Sequence, residues 1–135
     1  MAGSRKQLSN VVPVLVAAIV CDVAVKDPST GKVSLIGIFD RISVLNFPTK
    51  RPLSLYVKLT DAEGNYDFNV KYVQVESMKN LAGAGGSFVF KDRLASSDLF
   101  ISFPPLPIPE EGRYEFQIWA NSVFLGRAFI DAIKM

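Results

Sequence analysis

Short apolar or alternating runs, separated by Gly, Pro, Asp and Asn, follow one another from residue 11 to the end of the chain. No stretch repeats apolar residues at helical spacing over three turns, so the pattern favours strands over helices. The clearest run is LSLYVKLT at residues 53–60, where leucine or valine occupies every second position. This period of two is typical of a strand that buries one face.

The runs together predict an all-β protein: a single two-sheet antiparallel sandwich of roughly seven to nine strands, with little or no helix. Residues 1–10 are predicted to be a flexible N-terminal tail, and residues 11–135 the one sandwich domain. The strand at 53–60 is predicted to form a hairpin with the run that begins at Tyr66, across the turn DAEGN.

Two stretches are predicted to lie outside the strands. The glycine-rich residues 80–87 are predicted to be a flexible connector. The proline-rich residues 104–109 are predicted to be an extended crossing, because proline cannot donate to a strand ladder.

The stretch EEGRYEFQIWANS, residues 110–122, predicts the start of the last hairpin and a structural role for Tyr114 and Gly112. An acidic residue four positions before the tyrosine and a glycine two before it resemble the tyrosine corner of immunoglobulin-like sandwiches. The predicted sandwich is therefore immunoglobulin-like. Phe116 stands where an immunoglobulin domain has its second cysteine, so the inter-sheet disulfide is missing.

Charge and composition exclude several classes of function. The 135 residues include 15 Lys and Arg against 13 Asp and Glu, and the basic residues are scattered, which argues against a nucleic-acid partner. Histidine is absent and Cys21 is the only cysteine, which removes the commonest general base, an intramolecular disulfide and any multi-thiolate zinc site. We expect no catalytic residues, no cofactor and no metal.

The N-terminal sequence imitates an export signal, with SRK before the apolar run VVPVLVAAIVC. Val20 just before the candidate cleavage point and Pro13 within the run argue against it, and the run is shorter than the roughly 20 residues of a membrane span. We expect a first strand, a cytoplasmic protein and no membrane partner. The alternative is export, if residues 1–20 are a signal peptide.

Asp22, Asp40 and Arg41 are charged residues inside otherwise apolar strands. A carboxylate there must be paired, hydrogen-bonded or turned to solvent. A salt bridge with Arg41 that fixes strand register is the favoured interpretation, and a proton-handling or cation site formed by the two aspartates is the alternative. Asp40 and Arg41 also mark a bend in the predicted strand 33–45.

Two features point to association. If Tyr114 and Phe116 face the core, Gln117 and Trp119 face outward, and an outward tryptophan can anchor an interface, stack on a sugar, or be covered by the proline-rich crossing. The first strand is apolar on both faces, with Val14 and Val16 on one of them. The strand must then switch between sheets, or its outer face must be covered by the chain itself or by another subunit, and donation of the strand to a neighbour's sheet is a variant of the last.

Five segments in order, AAIVCD, GKVSLIGIFDRI, FP, LTDAEGNY and LPIPEEGRYEFQIWANSVFLG, resemble a bacterial family of small proteins catalogued as a domain of unknown function. The resemblance extends over roughly residues 14–131. It implies an all-β fold in a bacterial protein without an evident export signal, and it brings no established activity and no catalytic residues.

We therefore expect a non-enzymatic structural or protein-interaction subunit that self-associates as a homo-oligomer, with strand pairing through the first strand as one route. Glu110 and Glu111 are poorly placed for acid–base catalysis, since adjacent strand residues point to opposite faces. The alternative is a carbohydrate-binding module that uses Trp119 and Tyr56.

Overall fold

The computed structural model describes residues 7–135, which contain nine strands and no helix. Within that range, no helix is therefore long and apolar enough to cross a membrane. The strands are β1 (Val14–Lys26), β2 (Val33–Ile38), β3 (Arg41–Val44), β4 (Thr49–Thr60), β5 (Gly64–Gln74), β6 (Lys79–Phe90), β7 (Ser97–Ile108), β8 (Gly112–Ala120) and β9 (Val123–Lys134).

The strands form two sheets, one in the order β2-β1-β4-β7 and the other in the order β3-β9-β8-β5-β6. The predicted immunoglobulin-like sandwich is confirmed. One pair departs from the predicted antiparallel arrangement, because β3 runs parallel to β9, with Arg41 beside Asp131. After β2 the chain leaves the first sheet, crosses to the second and joins its edge in the direction of β9.

The core lies between the sheets, and β4 supplies one side of it. Leu53, Leu55, Val57 and Leu59 are each at most 3% exposed, as their alternation predicts. They belong to one buried cluster with aromatic side chains of the opposite sheet, among them Phe116. Full burial of each such aliphatic side chain contributes about 1.5 to 3 kcal/mol.

The predicted hairpin between residues 53–60 and the run from Tyr66 is wrong, because β4 and β5 lie in different sheets. The intervening turn, with Asp61 at a φ of 57°, carries the chain from one layer to the other. The Tyr66 hydroxyl holds this crossing: it donates to the Val11 carbonyl at 2.8 Å and accepts from the Glu63 N–H at 3.0 Å.

The prediction that residues 80–87 form a flexible connector is also wrong, because these residues lie within β6 and pair with β5 almost residue for residue. β6 is an edge strand that contributes half-buried Ala82 and Ala84 to the core. A Cβ at Gly85 would lie 3.1 Å from the Phe68 carbonyl oxygen and would displace the Asn69 side chain, so a small residue fits there.

The proline-rich residues predicted to cross between strands instead form the second half of β7, where Pro107 lies opposite Lys50 of β4. β7 pairs on one side only. Proline is accepted in an edge strand because the absent N–H can fall on the unpaired side. The extended conformation was predicted, and the pairing was missed.

Residues 7–10, the described part of the predicted flexible tail, are tied to β5. The Ser9 N–H donates to the Asn65 carbonyl at 2.9 Å, and the Asn65 side chain donates to the Gln7 carbonyl at 3.0 Å. The first six residues of the predicted tail lie outside the described residues.

The last hairpin, β8 and β9, is confirmed, and its turn is Asn121-Ser122. Both turn residues have positive φ, 48° and 65°, which is the type I′ geometry that suits the twist of a hairpin. Asn121 also accepts from the Asp67 N–H at 2.7 Å, so the turn is fastened to β5.

Tyr114 is fully buried at the start of β8, and its hydroxyl donates to the Glu110 carbonyl, four residues earlier, at 2.6 Å. The same oxygen accepts from the Glu110 N–H at 3.2 Å. Gly112 lies between them with a φ of 145°, which favours glycine. The tyrosine therefore closes the connection between the two sheets.

Tyr114→Phe should lower the free energy of unfolding by about 1 kcal/mol, because the part-buried hydrogen bond to the Glu110 carbonyl is lost while the ring is kept. Urea denaturation of the two proteins measures the difference. An unchanged unfolding free energy would show that the connection is held by packing alone.

Candidate functional site

The structure does not bring Asp22, Asp40 and Arg41 together. Asp22 accepts from Arg51 at 3.2 Å, while Asp40 binds the other sheet through its backbone carbonyl, 2.7 Å from the Asp131 N–H. The expected salt bridge with Arg41 is therefore replaced by one with Arg51, because Arg41 belongs to β3 in the opposite sheet.

Gly37 completes this corner of the first sheet. It has a φ of 69°, and a Cβ there would collide with the Asp22 carboxylate. The bend predicted near Asp40 is the point at which β2 ends and the chain changes sheets.

The two acidic residues at the entry of β8 serve separate structural contacts. Glu110 accepts from the Gln74 side chain at 2.6 Å, and Glu111 accepts from the Lys134 N–H at 2.7 Å. Among residues 7–135 no three His, Cys, Asp or Glu side chains are grouped to hold a metal ion.

Trp119 lies on the outer face of β8 and is half-buried by its neighbours. The Lys71 ammonium lies 4.8 Å from the centre of its ring, and Phe124 packs edge-on with ring centres 5.3 Å apart. The indole N–H is buried without a hydrogen-bond partner in the described chain. The ring is thus covered by β5 and β9 side chains rather than by the proline-rich segment.

Gln117 is also engaged, since its side chain donates to Glu115 at 2.7 Å. Glu115, only 7% exposed, lies 3.7 Å from Arg127 on β9. Near the start of β8, Arg113 donates two hydrogen bonds to the Asp131 carboxylate, at 2.8 and 3.0 Å. These hydrogen bonds lower the pKa of the Asp131 carboxyl. Two ion pairs, Arg113–Asp131 and Arg127–Glu115, therefore lie on the outer face of the second sheet.

The glycines of β6 leave a shallow groove of about 330 Å³ on that outer face, and it adjoins Trp119 through Asn69, the residue opposite Trp119 in the sheet. Its lining includes two amide side chains and one cation, Asn69, Asn80 and Lys71.

Tyr56 is not a surface aromatic, which corrects its expected place in a sugar site. It lies on the outer face of β4 but is only 7% exposed, and its hydroxyl donates to the Asp98 carboxylate. Phe100 packs against its ring with centres 5.6 Å apart. Burial and the Asp98 contact raise the pKa of Tyr56 to about 12.

The chain covers this face with its own β1–β2 hairpin. In the strand register, Asp98 of β7 is opposite Lys58 of β4, and Lys58 is opposite Ala17 of β1. Lys26 lies nine residues after Ala17 along β1. A straight β1 would carry Lys26 about 30 Å beyond that position. The Lys26 ammonium nevertheless lies 4.0 Å from the Asp98 carboxylate, so the end of β1 bends back across the face of β4.

The hairpin leaves one apolar face in solvent, which we call the hairpin face: Val23, Val25, Ile36 and Ile38. These side chains are 45%, 46%, 58% and 62% exposed. The strand register places Val23 beside Ile36, so the four are contiguous. This face was not predicted, because the run VSLIGI carries no regular alternation of apolar and polar residues.

Val14 and Val16 are exposed as well, at 49% and 53%, but for a local reason. A bulge between Leu15 and Ala17 changes the phase of β1, so both valines turn away from the core. β1 lies between β2 and β4 of its own chain. The donated-strand alternative is therefore not the arrangement seen.

Comparison with known proteins supports a family and no activity. The family model described as "Family of unknown function (DUF6941)" matches residues 16–131, which confirms the expected membership of a family of unknown function. The solved structure of an immunoglobulin-like protein from Pseudomonas aeruginosa is 9% identical in sequence, with a TM-score of 0.44, and the match covers 90% of this chain and 96% of that one. No curated protein matches the chain.

The stability of the protein should fall between pH 10 and about 12 through Tyr56. Its folded pKa is raised, so the unfolded chain releases the proton first and unfolding becomes easier as pH rises through that window. A shift of this size corresponds to about 3 kcal/mol. Urea denaturation across the window should show a shallower decline for Tyr56→Phe than for the wild type, and equal slopes would contradict the assignment.

Proposed function

Since the chain belongs to the DUF6941 family of unknown function, we propose its role from its own surface: a non-enzymatic structural or protein-interaction subunit that self-associates. The observation that carries this proposal is the hairpin face, four contiguous aliphatic side chains each at least 45% exposed. Contiguous exposed apolar surface on a soluble domain marks a binding surface, because its hydration is unfavourable.

The composition of the surrounding surface supports a protein partner. Charged residues border the hairpin face at its tip, where the Asp27 N–H donates to the Lys32 carbonyl at 2.9 Å, and at its base, where Asp22 meets Arg51. An apolar centre with a charged rim is the usual composition of a protein interface. The expected strand-pairing route through β1 moves to the hairpin, because β1 already has a neighbour on each side.

A cytoplasmic location belongs to the same proposal. Removal of residues 1–20 as a signal peptide would delete most of the β1 segment that pairs with β4, including Leu15 beside Leu59 and Val20 beside Leu55. Both Val20 and Leu55 are core residues. The N-terminal run therefore has a structural role that a cleaved leader would not have.

The purified protein should show a molar mass that rises with concentration in light scattering coupled to gel filtration. Added sulfate should strengthen the self-association, and added sodium chloride should not dissociate the oligomer, because burial of apolar surface drives the association. A mass equal to one chain at every concentration and salt would end the proposal.

A carbohydrate-binding module is the second candidate, favoured by the groove beside Trp119 with its amide side chains. Sugars stack on indole rings and exchange hydrogen bonds with amides. In this case a glycan array should give binding that Trp119→Ala weakens by about tenfold or more, while Phe88→Ala, an exposed aromatic elsewhere, leaves it unchanged. Binding that survives Trp119→Ala, or no binding, would remove this candidate.

A further inference from the structure

A cavity opens between the two sheets, where the edge strands β6 and β7 approach each other. Its volume is about 380 Å³, and its lining includes Phe68, Phe88, Leu99 and Ile101. Pockets that bind small molecules have volumes of about 300 to 1,000 Å³ and are lined mostly by apolar side chains. The four residues of the hairpin face are not in this lining, so the cavity is a separate surface.

Small residues of β6 leave the space open. In the register with β5, Ala84 lies opposite Val70 and Gly86 opposite Phe68. Val70 and Phe68 are core residues, and opposite residues of an antiparallel pair share a face, so positions 84 and 86 also face the interior. A methyl group and a hydrogen atom at these positions leave unfilled the room that larger side chains would occupy.

Phe88 shows that this side of the core is incompletely covered. It lies opposite the buried Tyr66, so its ring is on the core-facing side of the sheet. The ring packs edge-on against Phe68, with ring centres 6.1 Å apart, yet Phe88 is 37% exposed. An aromatic ring at a core-facing position is normally buried, because burial of its apolar surface is favourable. An aromatic ligand in the cavity would cover it.

The charge of the lining is negative. The Asp98 carboxylate lines the cavity, and within residues 7–135 no lysine or arginine does so. Asp98 accepts from the Tyr56 hydroxyl through Oδ1, while the Lys26 ammonium lies 4.0 Å from Oδ2, which is longer than a hydrogen bond. Oδ2 is therefore able to accept from a further donor. Phe100, which also lines the cavity, adds an aromatic ring that attracts cations.

We infer that this cavity binds a small aromatic amine, with its ring against Phe68 and Phe88 and its ammonium group at Asp98. The apolar lining favours the ring, and the carboxylate favours a cation over an anion of the same shape. This inference adds a small-molecule site to the self-association proposed above and does not depend on it.

The first test uses phenethylamine, in which two carbons join an aromatic ring to an ammonium group. Its dissociation constant should be about 1 mM, as expected for a ligand of this size. In NMR titrations it should shift the backbone amide signals of Ala84, Phe88 and Ile101. The amide signals of the hairpin face should not move, which separates the cavity from the other exposed apolar surface.

The second test changes only the charge of the ligand. 3-Phenylpropionate has the same ring and two-carbon linker but ends in a carboxylate, and it should bind at least about tenfold more weakly than phenethylamine. 2-Phenylethanol, which has the same ring and linker without a charge, should bind with an affinity between the two.

The third test changes the cavity. Asp98→Asn should weaken phenethylamine binding by about tenfold and leave 2-phenylethanol binding nearly unchanged, because only the amine uses the negative charge. The matched control is Glu76→Gln, which removes one exposed negative charge outside the cavity and should change neither affinity. Ala84→Leu fills the cavity and should weaken both ligands by more than about tenfold, with urea denaturation to verify that the variant is folded.

Several results would overturn the inference. They are amide shifts confined to the hairpin face or to the groove beside Trp119, no shift at phenethylamine concentrations several times the expected dissociation constant, and equal binding of 3-phenylpropionate. Wild-type affinity for phenethylamine in Asp98→Asn, or in a folded Ala84→Leu, would overturn it too. If Ala84→Leu does not fold, the three ligands and Asp98→Asn still decide the outcome.

Discussion

The burial of one apolar row on β4 is the interaction on which the rest of the structure depends. β4 has β1 on one side and β7 on the other, and its inward leucines and valine are at most 3% exposed. Because successive side chains of a strand alternate, burying this row sends Ser54 and Tyr56 to the opposite face. That second face then needs cover of its own, and the bent β1–β2 hairpin provides it with the contact between Lys26 and Asp98.

Alternation along β4 was enough to predict which of its residues face the core, but not which strands are its neighbours. Leu53 to Leu59 face the core as the pattern indicates, and the Asn121-Ser122 turn joins its two strands because both of its residues adopt positive φ. The pairing of β4 with β5 failed because a turn that changes layers and a turn that closes a hairpin use the same residue types. The glycine-rich first part of β6 was missed because its glycines give no apolar pattern, although it pairs with β5 along its length.

The candidate site was predictable only in part, for a related reason. The sequence shows that Asp22 needs a partner, but whether Arg41 or Arg51 supplies it depends on the sheet to which each arginine belongs. Trp119 faces outward as expected, yet the side chains that cover it come from β5 and β9. The exposure of the hairpin face follows from the bend in β1. No local sequence pattern near Val23 or Ile36 predicts that bend.

The crossing at Phe39 and Asp40 gives the molecule a mechanical property. β2 ends one sheet, and two residues later Asp40 is bonded to β9 of the other, so a pull on the β2 edge is transmitted to both layers at once. Arg51 rests on the Phe39 ring, 4.8 Å from its centre, and secures the same point from β4. A load applied along β2 would therefore act on the hydrogen bonds in shear, many together, instead of opening the sandwich one bond at a time.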